Sequence, residues 1–584
     1  MANEHYSAFI SEAFIEPIRS VLIVDDDYPT LDELLDQKID ADAGDEPVDS
    51  RKKWLEAPAR FKAVIDGFRK PHRSLLVDVH DGTNVAPDGD AKVASHLHQS
   101  DLLVLDFELD RTKPRDGQRA VEILRNVLSN NHFNLVVVHT SEDLDFVFRK
   151  ILFGLLAETG DGLEPEDEQR AIDAMAKRED EDEDFLTALA AAVGPDQYSN
   201  FRRFPKAYLR TMAKGEQPFA AFAQVAEDAG WDRELRKLVL QKQLLAEESK
   251  LRKAMNDTSP VGIEWSTGGV QWIKSESVFV AFSDKSEHED LLQSLQRSLE
   301  AWSPQPSRLF LNKLRAEIDD YGVVAQSAAL ERQHALAHWY NRLLEADGEE
   351  RRWLISESVS RHSDQLLNII FPRVEKFATD LVEAEAAVGT PTEHCKRHFQ
   401  VDLENENVMQ KAATEHNAFV SSKEPQGWHL NTGHVFRLED EFWVCLTPAC
   451  DLVPNQNKAR ADAYGGRLPF TALKLYPAKE GRKVDAYSGL FVYLTLANEV
   501  KVFKFNEQGK EGSAPQSQNF YADSLGRLSE DLDFKVSRIE AGSRRLISVR
   551  QSAKVVSQLR YEYALNLLQR LGNWTTRIGL DFVE

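Results

Sequence analysis

Residues 20–27 read SVLIVDDD: an apolar run, Val21 to Val24, that ends on three carboxylates, Asp25, Asp26 and Asp27. Val21, Ile23 and Val24 are β-branched, and an unbroken apolar run of this length suits a strand covered on both faces. The pattern recurs in Ser74–Val79 (SLLVDV), in Leu102–Leu105 (LLVL, followed by Asp106), in Leu135–Val138 (LVVV, followed closely by Thr140 and Ser141) and in Val278–Phe282 (VFVAF, with Lys285 just beyond). Helix-like spacing fills Arg51–Arg69, Ala91–His98 and Gln118–Leu128, and Ala41–Pro47 reads as an acidic loop in the first crossover. The amphipathic segment Asp290–Trp302 reads as the last helix. Strand-helix alternation of this kind predicts an α/β layer on a five-stranded parallel sheet.

The fourth and fifth strands are far apart in sequence. A helix is expected over Asp143–Leu156, and residues 157–265 are acidic and mostly helical, with the run Arg178–Asp184 (REDEDED) read as a solvated face. The expected organisation is therefore a domain split between 1–156 and 266–303, a helical insertion over 157–265, a helical region over 304–390, and a β-rich domain with a closing helix over 391–584. Val388–Pro391 (VGTP) marks the break before the last part. There, His434–Leu438, Phe442–Leu446, Leu490–Leu496 and Val500–Phe505 read as strands. Gly433 opens the first and Glu439-Asp440 makes a hairpin turn, as in a small SH3-like or related barrel. The closing helix is expected over Ala553–Leu571, its stripe of Val555, Val556, Leu559, Tyr563, Leu567, Leu568 and Leu571 serving as core or as a homodimer seam.

Composition narrows the function classes. The chain has 584 residues, too many for one core. A net charge of −25 argues against a general binder of nucleic acid or anionic membrane, although Arg544, Arg545, Arg550 and Lys554 form a local basic stretch. Three cysteines, Cys395, Cys445 and Cys450, make no disulfide framework and suit a reducing compartment. The first twenty residues carry no secretory pattern and no apolar run is long enough to span a bilayer, so the expectation is a cytoplasmic protein.

In a parallel α/β sheet the carboxyl ends of the strands share one edge, where ligands bind. Asp25, Asp26, Asp27 and Asp106 converge there and would repel one another without a cation, and a hard, oxygen-seeking ion such as Mg²⁺ suits them. A carboxylate nucleophile, a metal, a hydroxyl and an ammonium together make a phosphoryl-accepting set.

The successive motifs VLIVDDD, DLLVLDFEL with a later Asp116-Gly117, VVVHTS, and FVAFSDK followed by DLLQSLQRSLEAW resemble bacterial response-regulator receiver domains. The resemblance implies that Asp106 is the phospho-acceptor and that Asp25 and Asp26 bind Mg²⁺ with Asp106 and the backbone carbonyl of Glu108. It also implies that Thr140 contacts the phosphoryl group and Lys285 pairs with it. Three features depart from the pattern. The stretch from Asp106 to Asp116 is long, with its proline late at Pro114. Lys285 is followed by Ser286 rather than proline, leaving Ser283 and Asp284 as alternatives for its place. The insertion falls on the surface that usually transmits the signal. The following stretch SPQPSRLFLNKLRAEIDDYG is similar to receiver proteins of conflict and phage-defence systems, which implies a histidine kinase or a GHKL or Hsp90-like ATPase as partner.

Two further constellations lie in the second half. Cys450 with His434 and Asp451 has the residue types of a nucleophilic site, which would make the chain a receiver-gated effector such as a nuclease or other toxin. A zinc reading joins Cys395 and His398 to Cys445 and Cys450, with His394 competing as a ligand. A pseudo-receiver that only scaffolds a partner ATPase is the remaining alternative.

Overall fold

The structure is a computed structural model describing residues 2–35, 58–70, 73–82, 100–110, 113–128, 133–156, 162–252, 262–266, 269–286, 290–330, 332–453, 461–478, 489–497, 499–510 and 513–576. The expected loop Ala41–Pro47 and helix Ala91–His98 lie outside them, as does the start of the expected helix Arg51–Arg69. The chain divides into two compact units, Met1–Ala316 and Glu317–Glu584.

The first unit is built on β1 (Ser20–Val24), β2 (Leu76–His80), β3 (Leu102–Leu105), β4 (Asn134–Thr140), β5 (Glu264–Ser266), β6 (Trp272–Lys274) and β7 (Val278–Asp284). They form one sheet in the order β2-β1-β3-β4-β7-β6-β5. The first five in that order are parallel, which is the doubly wound arrangement with its switch point between β1 and β3. The sheet thus has seven strands rather than the expected five, because residues after the insertion add an antiparallel hairpin to β7. The apolar runs are buried as expected at β1, β3, β4 and β7. The run at 74–79 is different: β2 is the outer strand, and Leu76 is 77% exposed.

Alternate strand residues face opposite sides. On one side Leu22, Val24, Leu103, Leu105, Val136, Val138 and Val280 meet α3 (Gln118–Leu128) and α4 (Leu144–Leu155). The other side meets α11 (Leu291–Trp302), whose Trp302 packs on Phe279 and Phe14. Asp143 and Asp290 cap α4 and α11 by accepting from backbone N–H groups in the first turn. Residues 163–252 form the six helices α5 to α10, and their Leu189, Phe219, Phe222, Val239 and Leu240 belong to the same continuous core as α3 and α4. The insertion is therefore fused to the sheet layer through its hydrophobic core.

The second unit begins inside α12 (Pro306–Leu330) and continues with α13 (Gln333–Glu345), α14 (Gly348–Ala386), α15 (Pro391–Phe399) and α16 (Glu406–Ser421). The break at Val388–Pro391 lies between α14 and α15. Strands β9 (His434–Leu438), β10 (Glu441–Cys445), β11 (Leu468–Pro477), β14 (Ser517–Ala522), β15 (Asp533–Ala541) and β16 (Leu546–Leu559) follow. They pair in the order β10-β9-β16-β15-β14-β11, and β10 pairs with β11, which closes a six-stranded antiparallel barrel. Phe436 sits at its centre, with the rings of Phe470, Phe520 and Phe534 edge-on to it at 5.5–5.8 Å. Closure leaves these six strands no free edge. The Glu439-Asp440 turn forms as expected, with Glu439 at φ 54°.

One expectation is corrected here. Val555, Val556 and Leu559 lie in strand β16, and the closing helix α17 is Tyr561–Thr576. Val555 faces the barrel core while Val556 packs on the outside with Leu567 and Leu571 of α17. A strand and a helix placed end to end produced what reads as one helical stripe.

Candidate functional site

The register of the parallel strands brings the ends of β1, β3, β4 and β7 to one edge: Val24 lies beside Leu105, Leu105 beside Val138, and Thr140 beside Asp284. The residues after these ends continue the ladder for one more bond. Asp25 N–H donates to the His80 carbonyl at 3.0 Å, Asp106 N–H to Val24 at 2.9 Å, and Lys285 N–H to Thr140 at 2.7 Å. Asp25, Asp106 and Lys285 are thus fixed by backbone before any side-chain contact forms.

The side chains then meet. Lys285 Nζ lies 2.8 Å from Asp25 Oδ2 and 2.8 Å from Asp106 Oδ2, so one ammonium bridges both carboxylates. Asp27 N–H donates to Asp25 Oδ1 at 2.9 Å, which turns the DDD segment back on itself. Asp25, Asp26 and Asp27 each present an oxygen, all within 4.8 Å of one another, a grouping able to hold a cation. Asp25 and Asp106 are almost fully buried, and several carboxylates there face one ammonium. Burial pushes the Asp106 carboxyl up to about 7, and nearby Asp25 adds to the rise, while Lys285 opposes it. Burial pulls the Lys285 ammonium down, but Asp106 and Asp25 outweigh it and hold its pKa above the usual lysine value.

This donor set fits a hard divalent ion: it offers oxygen only, carries excess negative charge, and lies at the sheet edge. The oxygens that converge closely enough to share such an ion are those of Asp25, Asp26 and Asp27, with the Asp106 carboxylate reached through Lys285. Glu108, two residues past Asp106, accepts the Arg115 N–H through its side chain at 2.7 Å.

The long stretch after Asp106 is folded back by its own turns. Lys113 N–H donates to the Asp110 carbonyl, Asp116 N–H to Lys113, and the Arg119 guanidinium to Leu109. Gly117 adopts φ 62° against the buried Phe107 ring, where a Cβ would stand 2.1 Å from a ring carbon. Only glycine fits there. The Arg115 side chain reaches Glu142 Oε2 at 2.7 Å and lies over the Phe146 ring, joining the β3 loop to the β4 loop. Glu142 N–H in turn donates to Thr140 Oγ1 at 3.1 Å. The Arg115–Glu142 latch was not legible in the sequence, since nothing local in either motif pairs them.

Ser283 and Asp284 do not take the lysine's place. Ser283 is a buried strand residue, and Asp284 is committed to Ser286, whose N–H it accepts at 2.7 Å. That bond holds the Asp284 carboxyl below its usual value.

The second-unit candidates are placed differently from one another. His434 is fully buried, with Nδ1 accepting the Asn431 N–H at 3.1 Å and Nε2 against the Gln426 carbonyl at 3.2 Å. Burial lowers its pKa to about 4. Cys450 is exposed, its thiol directed to Asp451. Both His434 ring nitrogens are thus committed to backbone groups. Cys445 points into the barrel core, where burial raises its thiol to about 12. The Cys395, His398, Cys445 and Cys450 set does not assemble among the described residues, and His398 instead meets Glu385 and His394.

No curated protein and no solved structure matches the chain. Residues 17–182 match the family model described as the response receiver domain, a span running from before β1 into the insertion and containing Asp25, Asp106 and Thr140. Lys285 and β7 lie beyond it. The sheet order, the acidic edge and this match agree, and the first unit carries a receiver domain.

Proposed function

We propose that this protein is a response-regulator-like signalling protein that accepts a phosphoryl group on Asp106 and thereby controls its second unit. The observation that carries this reading is the bridge of Lys285 between Asp25 and Asp106 at the carboxyl edge of the sheet. In the reaction an Asp106 carboxylate oxygen attacks phosphorus of the donor, the new O–P bond forms, and the donor's bond breaks with its electron pair leaving on the donor. Asp25, Asp26, Asp106 and the Glu108 carbonyl would hold Mg²⁺, which would supply charge neutralisation for the phosphoryl oxygens. Lys285 leaves one carboxylate to pair with the acyl phosphate. Thr140, whose Oγ1 accepts from Glu142, still has its own hydrogen to donate to a phosphoryl oxygen.

Rearrangement of Thr140 and Lys285 acts on β4 and β7, which bracket the insertion in sequence. Because α5 to α10 share a core with α4, a change at this edge reaches the insertion directly. The donor in this reading is a histidine kinase or a GHKL or Hsp90-like ATPase, and the setting is cytoplasmic and antiviral, as the similarity to conflict-system receivers suggests. Among the described residues no helix is long and apolar enough to cross a membrane. The test is incubation of the full chain with Mg²⁺ and acetyl phosphate, followed by intact mass. One phosphoryl addition, lost in Asp106→Asn and in EDTA, is expected; an addition that survives Asp106→Asn would overturn the assignment.

A further inference from the structure

A second polar cluster lies in the second unit, where α14 ends and α15 begins. Thr390 and Glu393 form a capping box around Pro391, which starts α15 sharply after the end of α14. His394 and His398, one turn apart on α15, are thereby set against Glu385 in the last turn of α14. Gly389 makes room: a Cβ there would stand 2.7 Å from His394 Nε2. Glu385 Oε2 lies 2.9 Å from His394 Nδ1 and 2.8 Å from His398 Nε2. All three ligand atoms fall within 4.8 Å of one another.

The Arg397 guanidinium occupies the middle of this trio. Its Nη2 contacts Glu385 Oε2 and lies 3.1 Å from His394 Nδ1 and 2.9 Å from His398 Nε2. That arrangement is internally frustrated. Each of these imidazole nitrogens carries either a proton or a lone pair in the ring plane, so it can donate to Glu385 or accept from Arg397, never both. A metal cation at the centre removes the conflict, since both nitrogens and the carboxylate oxygen then act as donors of lone pairs. His398 is nearly fully buried, which fixes its ring against Glu385. The Arg397 side chain is 37% exposed and long enough to swing into solvent when a metal enters.

We propose that Glu385, His394 and His398 form a binding site for a divalent transition-metal ion of the zinc class, gated by Arg397. Two imidazoles and one carboxylate suit such an ion, and three protein ligands leave a coordination position for water.

The experiment is titration of the metal-free full chain with ZnCl₂ in the presence of excess Mg²⁺, followed by calorimetry. Co²⁺ substitution provides a visible spectrum as an independent readout of ligand geometry. Cys395→Ser and Cys450→Ser are carried throughout to remove thiol binding. One zinc per chain is expected, weakened at least about tenfold by His394→Ala and by Glu385→Gln. Arg397→Ala is expected to tighten binding, because the competing guanidinium is gone. It also serves if His398→Ala fails to fold. Absence of stoichiometric, His394-dependent zinc in both the parent and Arg397→Ala would overturn the proposal and identify Arg397 as the cation this trio was built to hold.

Discussion

Asp106→Asn should stabilise the metal-free receiver domain, and the gain should grow with pH. In the folded chain Asp106 holds its proton to about 7, whereas in the unfolded chain it releases it near the ordinary value of 3.8. Between those values the folded state binds more protons, so stability falls as pH rises through that window and levels off above it. At about 1.36 kcal/mol per unit, the accumulated cost reaches a ceiling of about 4 kcal/mol by pH 8, of which roughly 2–3 kcal/mol accrues above pH 5. The asparagine keeps the shape and removes the charge. Lys285 is not stranded, because its 2.8 Å contact with Asp25 remains. The assay is pulse proteolysis in urea with EDTA, read by mass spectrometry on peptides of β1 and β3, for the parent and Asp106→Asn at pH 5 and pH 8. The variant should lead at pH 8 by a margin at least about 1 kcal/mol larger than at pH 5, and Mg²⁺ should shrink that margin. A variant less stable than the parent at pH 8 without metal would show that the Lys285 pair outweighs burial, and the reasoning would fail.

Other outcomes follow from the same geometry. Gly117→Ala should cost at least about 2 kcal/mol, since its Cβ meets the Phe107 ring at a positive φ; a change under about 0.5 kcal/mol in urea midpoint would contradict the packing. Lys285→Met leaves Asp25 and Asp106 facing each other unbridged, so in EDTA at pH 8 it should destabilise by about 3 kcal/mol, with Mg²⁺ restoring most of it. Arg115→Ala breaks a pair whose guanidinium is largely exposed and should leave the urea midpoint nearly unchanged. It should nonetheless change the rate of acetyl-phosphate labelling, because it frees the Glu142 loop that touches Thr140; an unchanged rate would rule out the latch.

The parts of the receiver that were legible in sequence are those fixed by short-range pattern. Apolar runs such as Val21–Val24 and Leu102–Leu105 form strands because little else can bury them, and the carboxylates that follow must then emerge at one edge. That Lys285, rather than Ser283 or Asp284, reaches Asp25 and Asp106 depends on the chain direction at the end of β7, which strand order alone does not give. The β5-β6 hairpin was missed because Glu264–Ser266 and Trp272–Lys274 are three residues each, too short to show a period. The edge position of β2 depends on pairing, not on its own composition, so Leu76 reads as buried and is not. The Glu385 cluster shows the same limit. In sequence His394 and His398 read only as partners or competitors of the cysteines in a zinc reading, because Glu385, which meets them in the structure, comes from a different helix, brought in by the turn at Val388–Thr390.

The central claim is that Asp106 receives the phosphoryl group. Its most direct test is borohydride reduction of the chain after treatment with acetyl phosphate and Mg²⁺, followed by peptide sequencing in the mass spectrometer. An aspartyl phosphate is reduced to homoserine, so homoserine should appear at position 106 and depend on Mg²⁺. Homoserine at another aspartate, or none at 106 despite stoichiometric Mg²⁺ binding, would contradict the account and leave a receiver domain that binds metal without accepting phosphate.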